Sequence, residues 1–379
     1  MNGSRWDHRL WMRPRTGNHD VGNGSDGSHK KGRGGWRGGL ARAVTRPLSW
    51  MYRGAVAQRN GRFDRGVDVH RVDAPVVCVG NLTTGGTGKT PVVADIATRL
   101  RRRGVAVAIV SRGYRSEQQS GGLNDEALEL YDRLDDVPQV HDADRVAAAT
   151  IAVEELQSQF VLMDDGFGHR RLHRDADIVL IDATCPFGYG HLLPRGLLRE
   201  PLSSLSRASL VMLTRTDLVC DDVIATIETV VRRHTDAAII RTVHAPTSLI
   251  SHPDRSDPID VLRGARVVAL SAIGNPAAFT SSLERLGAEV VDRIDLPDHD
   301  AFDRNTLTNL KQRIIDIRQR TSPRTIDRIV CTHKDLVKLR TDRLAGVDLA
   351  AVRIDVRIIG DDGPLEDLLV RVLNQHVHV

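Results

Sequence analysis

The chain has no run of eighteen apolar residues, which excludes a helix able to span a bilayer. Its first residues contain no apolar segment of the kind found in secretory signals, so no cleaved leader is expected. The four cysteines, Cys78, Cys185, Cys220 and Cys331, lie far apart and form no CxxC pair. That spacing argues against a cysteine zinc site or a disulfide framework, and it predicts buried thiols in a reducing compartment. Aromatic residues are only 4% of the total, and no internal repeat is evident.

What is present is a globular composition, 41% hydrophobic and 27% charged over 379 residues, enough for about two domains. The net charge of +4 is unevenly placed. Residues 1–66 carry fourteen Arg or Lys against four Asp, a local charge of +10, which leaves −6 on the rest. A basic N-terminal end attracts nucleic acid or anionic lipid, and its sign alone does not choose between them.

Residues 1–39 hold ten glycines, eight basic residues and hardly any aliphatics. Such a segment buries too little apolar area to offset its ordering entropy and reads as a solvated, disordered extension. An RNA-binding arm is the other reading, unsupported by repeats or interleaved aromatics. Residues 40–66 differ. Leu40, Val44, Leu48, Met51 and Ala55 share one side of a helical wheel, with Arg42, Arg46 and Arg53 opposite. Pro47 predicts that the helix starts near Thr45 and runs to Asn60. With Trp50 and Tyr52 it fits an interfacial membrane helix, or a helix packed on the protein core with a solvated arginine face.

From residue 75, short apolar runs alternate with amphipathic stretches. Val76–Val79, Val105–Val110, Phe160–Met163, Ile178–Ile181 and Leu210–Leu213 read as buried parallel strands, with helical intervals at Ala94–Arg103 and Ala143–Leu156. Val267–Leu270, Glu289–Val291, Ile329–Cys331 and Val352–Val356 form a second set. The pattern predicts an α/β fold, doubly wound, with a first unit over 67–243 and a smaller α/β unit over 244–379. The stretch 244–262, rich in His, Pro, Ser and Asp, is the expected crossover.

The segment 76–90 reads as a strand, a glycine-rich loop and the start of a helix. In it Thr83, Thr84, Gly85, Gly86, Thr87 and Gly88 precede Lys89 and Thr90. Glycines let backbone N–H groups converge on phosphate at a helix N-terminus. Lys89 is then the β/γ-phosphate contact and Thr90 a Mg²⁺ ligand, although Thr83 stands where a P-loop has its first glycine. An apolar strand ending in Asp164-Asp165 supplies metal-side carboxylates. Asp125 and Glu126 enter a helix and read either as cap or surface residues or as groups facing the nucleotide, with Glu126 then a further metal-side candidate. His169, Arg170 and Arg171, with Arg195 and Arg199 beyond, suit an anionic substrate or developing charge. Thr332-His333-Lys334-Asp335 follows a strand and has the form of a base-contacting T-x-K-D loop, so Lys334 and Asp335 join the nucleotide-binding candidates.

These segments together resemble the tetraacyldisaccharide 4′-kinase family. The resemblance rests on RPLSWMY at 46–52, GNLTTGGTGKTP at 80–91, SRGY at 111–114 and DDGFGHRRLHRDADIVLIDA at 164–183. It continues through LLPRGLLREP at 192–201, PDHDAF at 297–302 and THKDLVKL at 332–339. It implies MgATP as phosphoryl donor and tetraacyldisaccharide 1-phosphate as acceptor, with lipid IVA as the product of lipid A biosynthesis. It also implies two α/β/α domains with a P-loop NTPase-like first sheet, and peripheral attachment to the cytoplasmic face of the inner membrane. No nucleic-acid or obligate protein partner is expected. By resemblance Asp125 and His299 form the pair that activates the sugar hydroxyl. Arg112, Tyr114, His169, Arg170, Arg171, Arg199 and Glu200 contact the acceptor. The chain departs from the family pattern at Asn124, Gly168 and Asp300. A regulatory P-loop ATPase or GTPase is the alternative, although such ATPases carry a lysine where this chain has Thr84.

Overall fold

The computed structural model describes residues 35–112, 125–321 and 325–376. Thirteen strands are present among them: β1 (Val76–Asn81), β2 (Val107–Ser111), β3 (Gln139–His141), β4 (Phe160–Asp164), β5 (Ala176–Asp182), β6 (Leu210–Thr214), β7 (Ala238–Ser251), β8 (Arg255–Pro258), β9 (Arg266–Ser271), β10 (Glu289–Asp295), β11 (Arg328–Thr332), β12 (Arg343–Leu344) and β13 (Val347–Ile359). The helices are α1 (Gly35–Asp64), α2 (Lys89–Arg102), α3 (Asp125–Arg133), α4 (Arg145–Thr150), α5 (Asp221–Arg232), α6 (Pro276–Arg285), α7 (Arg304–Thr321), α8 (His333–Leu339) and α9 (Gly363–His376).

The apolar runs form the strands because a strand covered on both faces excludes polar side chains. Every residue of β1, β4, β5 and β6 is buried. Alternate residues of β1 feed different cores, Cys78 on one face and Val77 and Val79 on the other. Helix α2 turns Val92, Val93, Ile96, Ala97 and Leu100 to the sheet, the spacing of one helical face.

The strand order is β10-β9-β11-β13-β7-β6-β5-β1-β4-β2-β3. Neighbours on each side of the β13/β7 pair run parallel, and β13 pairs with β7 antiparallel. Two parallel α/β/α layers therefore share one seam, each with its own pair of cores. Residues 243 and 244 both lie inside β7, and the 244–262 stretch forms the end of that strand, β8 and a short 3₁₀ turn rather than an irregular crossover. Its polar residues hid a long strand whose half-buried positions need no apolar side chain. We place the division between the two units at the β7/β13 pair.

Helix α1 begins at Gly35 and carries Pro47 inside it, so the expected start near Thr45 and the boundary at residue 39 are both corrected. An interior proline removes one N–H bond and costs about 3 kcal/mol, which long flanking helix can absorb. Residues 1–34, with the expected disordered extension, lie outside the described residues. Of the cysteines, Cys78 and Cys331 are buried as expected, whereas Cys220 is exposed just ahead of α5.

Arg133, at the end of α3, ties the two layers together. Its side chain is 1% exposed and pairs with Glu129 and Asp355, each at 2.9 Å, while donating to the Ile354 carbonyl at 2.9 Å. Removing one partner of a buried ionic network leaves the others uncompensated. Arg133→Ala is therefore expected to cost about 3 kcal/mol, read as a lower denaturation midpoint in urea.

Candidate active site

The loop between β1 and α2 is held from behind at three points. Thr84 N–H donates to the Leu197 carbonyl at 2.7 Å, and Thr214 Oγ1 donates to the Thr87 carbonyl at 3.0 Å. Gly88 takes the left-handed conformation with φ 81°, and the His244 ring fills the place where a Cβ would stand. No side chain caps α2, so its first-turn N–H groups remain open to an anion. Gly85 and Gly86 are exposed beside that opening. This geometry corrects the assignment of Thr83 and Thr84. Thr83 is buried and bridges to Leu198, and the Thr84 N–H is already committed to Leu197.

Lys89 Nζ stands 3.4 Å from Asn81 Oδ1 and 3.4 Å from Asp165 Oδ1. Asp165 follows β4 with φ 52°, an uncommon conformation for a non-glycine residue, and also accepts from Arg199 at 3.0 Å. Burial works to raise its pKa, but Lys89 and Arg199 outweigh burial and hold it below the usual value. Asp164, fully enclosed at the end of β4, behaves oppositely. Burial, with Asp165 and Glu126 near, raises it from 3.8 to about 7 despite Lys89. Its Oδ1 is buried without a hydrogen-bond partner.

An orphaned carboxylate oxygen at the end of β4, near the lysine of the turn that also carries Thr90, fits a hard divalent cation. Among the described residues no three His, Cys, Asp or Glu side chains converge into a closed metal site. The donor set therefore suits Mg²⁺ that brings phosphate oxygens with it.

Across the cleft, the structure brings together two residues far apart in sequence. His299 Nδ1 lies 2.8 Å from Asp125 Oδ2, which also accepts from Lys338 Nζ at 2.7 Å. Burial acts to raise the Asp125 pKa, but the bonds from Lys338 and His299 bring it below the ordinary value. Glu126 pairs with Lys334 at 3.4 Å. Helix α8 so faces the N-terminal turn of α3, and His333 completes the contact with a 2.6 Å bond to Asp132.

Between these groups and α1 opens a cavity of about 330 Å³, lined by Tyr52, Arg59, Asn81, Arg112, Arg145, Asp165, His169, Arg199 and Glu200 among others. Arg112, His169, Arg199 and Glu200 thus line one cavity. The His169 ring is held neutral, its pKa lowered to about 4 by burial and the nearby Arg145. At Gly168 a Cβ would stand 3.4 Å from Glu200 Oε1, so the missing side chain leaves the cavity wider.

Other expectations move. Arg170 pairs with Asp64 at 2.7 Å and lies over Phe63, holding the end of α1, while Arg171 is engaged by Asp68 and Asp144. Glu200, 2% exposed, is a clamp on α1 that accepts from Arg59, Asn60 and Ser204. Asp335 is fully buried and accepts from Thr332 Oγ1 at 2.7 Å, closing its own helix cap. The 332–335 turn is therefore structural at Asp335 and cannot read a base, while Lys334 serves Glu126. Asp300 likewise caps its own turn through Phe302 N–H at 2.7 Å. Tyr114 and Asn124 lie outside the described residues.

Sequence reasoning missed Arg59, Arg145, Lys338 and His244. Lys338 stands one helical turn beyond Lys334, a spacing that signals a shared face. Arg145, 3% exposed, follows the Asp144 helix cap and carried no motif.

Residues 41–374 match the family model described as Tetraacyldisaccharide-1-P 4′-kinase. A tetraacyldisaccharide 4′-kinase of Anaeromyxobacter dehalogenans is 38% identical over 350 residues, covering 88% of this chain and 91% of that protein. One from Geobacter sulfurreducens is 34% identical over 340 residues, with 85% and 91% covered. Among solved structures, LpxK from Aquifex aeolicus, an "apo" form in complex with ATP, superposes with a TM-score of 0.70 at 27% identity, covering 89% of this chain and 99% of that one.

The raised pKa of Asp164 has a stability consequence with a definite sign. A carboxyl whose folded pKa lies above its unfolded value contributes stability below about 4, lost as pH rises through about 7. Asp164→Asn removes that loss. Without metal, the variant is expected to melt a few degrees above the wild type at pH 8, with the difference closing at pH 5, in calorimetry.

Proposed function

The chain belongs to the tetraacyldisaccharide 4′-kinase family, and on that premise we propose the following chemistry for its site. The protein is a kinase that transfers the γ-phosphate of ATP to the 4′-hydroxyl of tetraacyldisaccharide 1-phosphate, giving lipid IVA in lipid A biosynthesis. The observation that carries this is the meeting of two elements at one cleft. An open, glycine-rich helix N-terminus with Lys89 and the Asp164/Asp165 pair shares its layer with Asp125, and His299 reaches Asp125 from the other layer.

Each group has a role set by its surroundings. The N–H groups from Gly85 to Thr90 cradle the phosphates, and Lys89 offsets charge that grows on the transferred group. Mg²⁺, when bound, would supply charge neutralisation for the donor phosphates. Thr90, Asp164 and Asp165 would hold it, with Glu126 behind them. Asp125 Oδ2 is occupied by His299 and Lys338, so Oδ1 is the oxygen that takes the hydroxyl proton. His299 and Lys338 fix the carboxylate at the angle that transfer needs.

The cavity suits the acceptor's sugar headgroup rather than its acyl chains. Arg112, Arg145 and Arg199 give it the positive wall a phosphorylated sugar requires. Reading the chain as a regulatory ATPase finds no support, since Thr84 replaces the signature lysine and its N–H is tied to Leu197.

Helix α1 supports peripheral attachment to a membrane, proposed here as the cytoplasmic face of the inner membrane. Among the described residues no helix is long and apolar enough to cross a bilayer. Ser49, Tyr52, Val56, Arg59 and Asn60 face the body, whereas Leu48, Trp50 and Met51 are 45%, 70% and 72% exposed. Leu48, Met51 and Ala55 of the apolar sector are thus exposed rather than packed on the core.

A phosphoryl-transfer assay with MgATP and tetraacyldisaccharide 1-phosphate in detergent micelles tests the kinase. Lipid product is expected from the wild type and none from Lys89→Ala; ATP turnover without lipid product would favour the regulatory reading. Asp125→Ala and His299→Ala are each expected to lower kcat by orders of magnitude with ATP affinity kept, and full activity in either would remove it from the catalytic set. Replacing Leu48, Trp50 and Met51 by serine is expected to weaken sedimentation with anionic vesicles, and unchanged binding would leave α1 a purely structural helix.

A further inference from the structure

The basic run 169–174 contains three arginines. Arg170 holds the end of α1, and Arg171 pairs with Asp68 and Asp144. Arg174 does neither. It lies just ahead of β5 with its side chain 6% exposed, and it reaches back to the loop 165–169 that follows the metal-side strand β4. Its Nη1 donates to the carbonyls of His169 at 3.0 Å, Gly166 at 3.1 Å and Phe167 at 3.5 Å. Its Nη2 pairs with Asp177 at 3.3 Å, a buried carboxylate whose Oδ1 has no hydrogen-bond partner.

Gly166 and Phe167 are buried, and a buried loop carbonyl with no ladder partner must find another donor. The Gly166 carbonyl also accepts from the His169 N–H at 2.8 Å, so this turn and the guanidinium together fix the loop's shape. Arg207 adds a second grip. Its guanidinium lies 4.4 Å over the Phe167 ring and donates to the Phe167 carbonyl at 3.4 Å. Phe167 meets the phosphate-loop strand at Gly80, where a Cβ would stand 2.7 Å from the Phe167 Cβ. The ends of the loop carry functional groups, Asp165 at φ 52° and His169 in the cavity wall. An uncommon backbone conformation of this kind persists where its surroundings over-determine it. Neither Arg174 nor Arg207 lines the cavity, so each acts through the loop.

We propose that Arg174 is a positioning residue for phosphoryl transfer: held by Asp177, it gathers the carbonyls of Gly166, Phe167 and His169 and so sets Asp165 against Lys89 and His169 in the cavity wall. The inference rests on the kinase reading of the cleft and adds what aligns its metal-side carboxylate. The planar fork of arginine is required, because one nitrogen holds the loop while the other holds Asp177. A lysine has one nitrogen for both tasks. A slack loop impairs alignment in the transition state rather than donor affinity, since the phosphate loop keeps its own ties to Leu197 and Thr214.

Arg174→Lys keeps the charge beside Asp177 and removes the fork. In the folded variant, kcat for lipid phosphorylation is expected to fall about ten- to a hundredfold. KM for ATP is expected to stay within about twofold of the wild type. A second readout needs no turnover. The His169 ring, held in the wild type at a pKa of about 4, is expected to titrate nearer 6.5 in proton NMR of Arg174→Lys, its signal assigned by its absence in His169→Gln. Asp177→Asn removes a buried charge at constant shape, so it is expected to fold and to move both readouts the same way, and it decides the matter if Arg174→Lys does not fold. A folded variant that melts lower yet keeps wild-type kcat, that changes only KM, or that leaves His169 at its wild-type pKa overturns the proposal. A wild type that phosphorylates no lipid overturns the kinase reading instead, and the proposal with it.

Discussion

The charged seam between α3 and α8 is the contact on which the site depends. α3 belongs to the layer that carries the phosphate loop, and α8 to the other layer. Asp125, Glu126, Asp132 and Arg133 on α3 meet Lys338, Lys334, His333 and the β13 carboxylate Asp355 across the gap. Buried ion pairs contribute little net stability, but they penalise misalignment strongly, because each unpaired member is left desolvated. The seam therefore specifies register between the layers more than it holds them together. The long antiparallel β7/β13 ladder joins the two layers into one sheet, and the seam bears on the angle at which Asp125 and His299 meet.

A second constraint acts on the loop that faces them. Its rear is fixed to Leu197, to Thr214 and, by sheer contact, to His244, so its front can stay free of side-chain bonds. Such pre-organisation is what transition-state charge stabilisation requires, because donors already aimed need no rearrangement when charge develops. The two carboxylates at the end of β4 show how finely position sets chemistry. Asp165, next to two cations, stays ionised, while Asp164, enclosed one residue earlier, holds its proton into the neutral range.

Much of this was legible in the sequence, for identifiable reasons. The buried strands announce themselves because parallel strands covered on both sides are continuous apolar runs, and the phosphate loop because glycine and lysine spacing has few other uses. β7 was not legible: polar residues and Pro246 interrupt its apolar pattern, and only its pairing with β13 makes its second half a strand. Arg170 and Glu200 sit in family-like segments, yet the fold uses them to hold α1, and Arg171 pairs with Asp68 and Asp144. Asp335 shows the same limit in a motif, since T-x-K-D spacing serves equally for a base contact and for a helix cap. His244 and Arg145 carry no motif at all. Their positions follow from what packs against them, which is three-dimensional information.

The Glu200 clamp couples two matters that look separate. The loop that ends in Arg199 and Glu200 both walls the cavity and grips α1, through Tyr52 to the Arg199 carbonyl and through Arg59 and Asn60 to the Glu200 carboxylate. An enzyme seated on a bilayer by α1 would then hold its cavity at a fixed height above the acyl chains, set by the side-chain length of one glutamate. An acceptor with its chains still in the leaflet would reach the cavity by lateral diffusion, so encounter rates would follow surface density rather than bulk concentration.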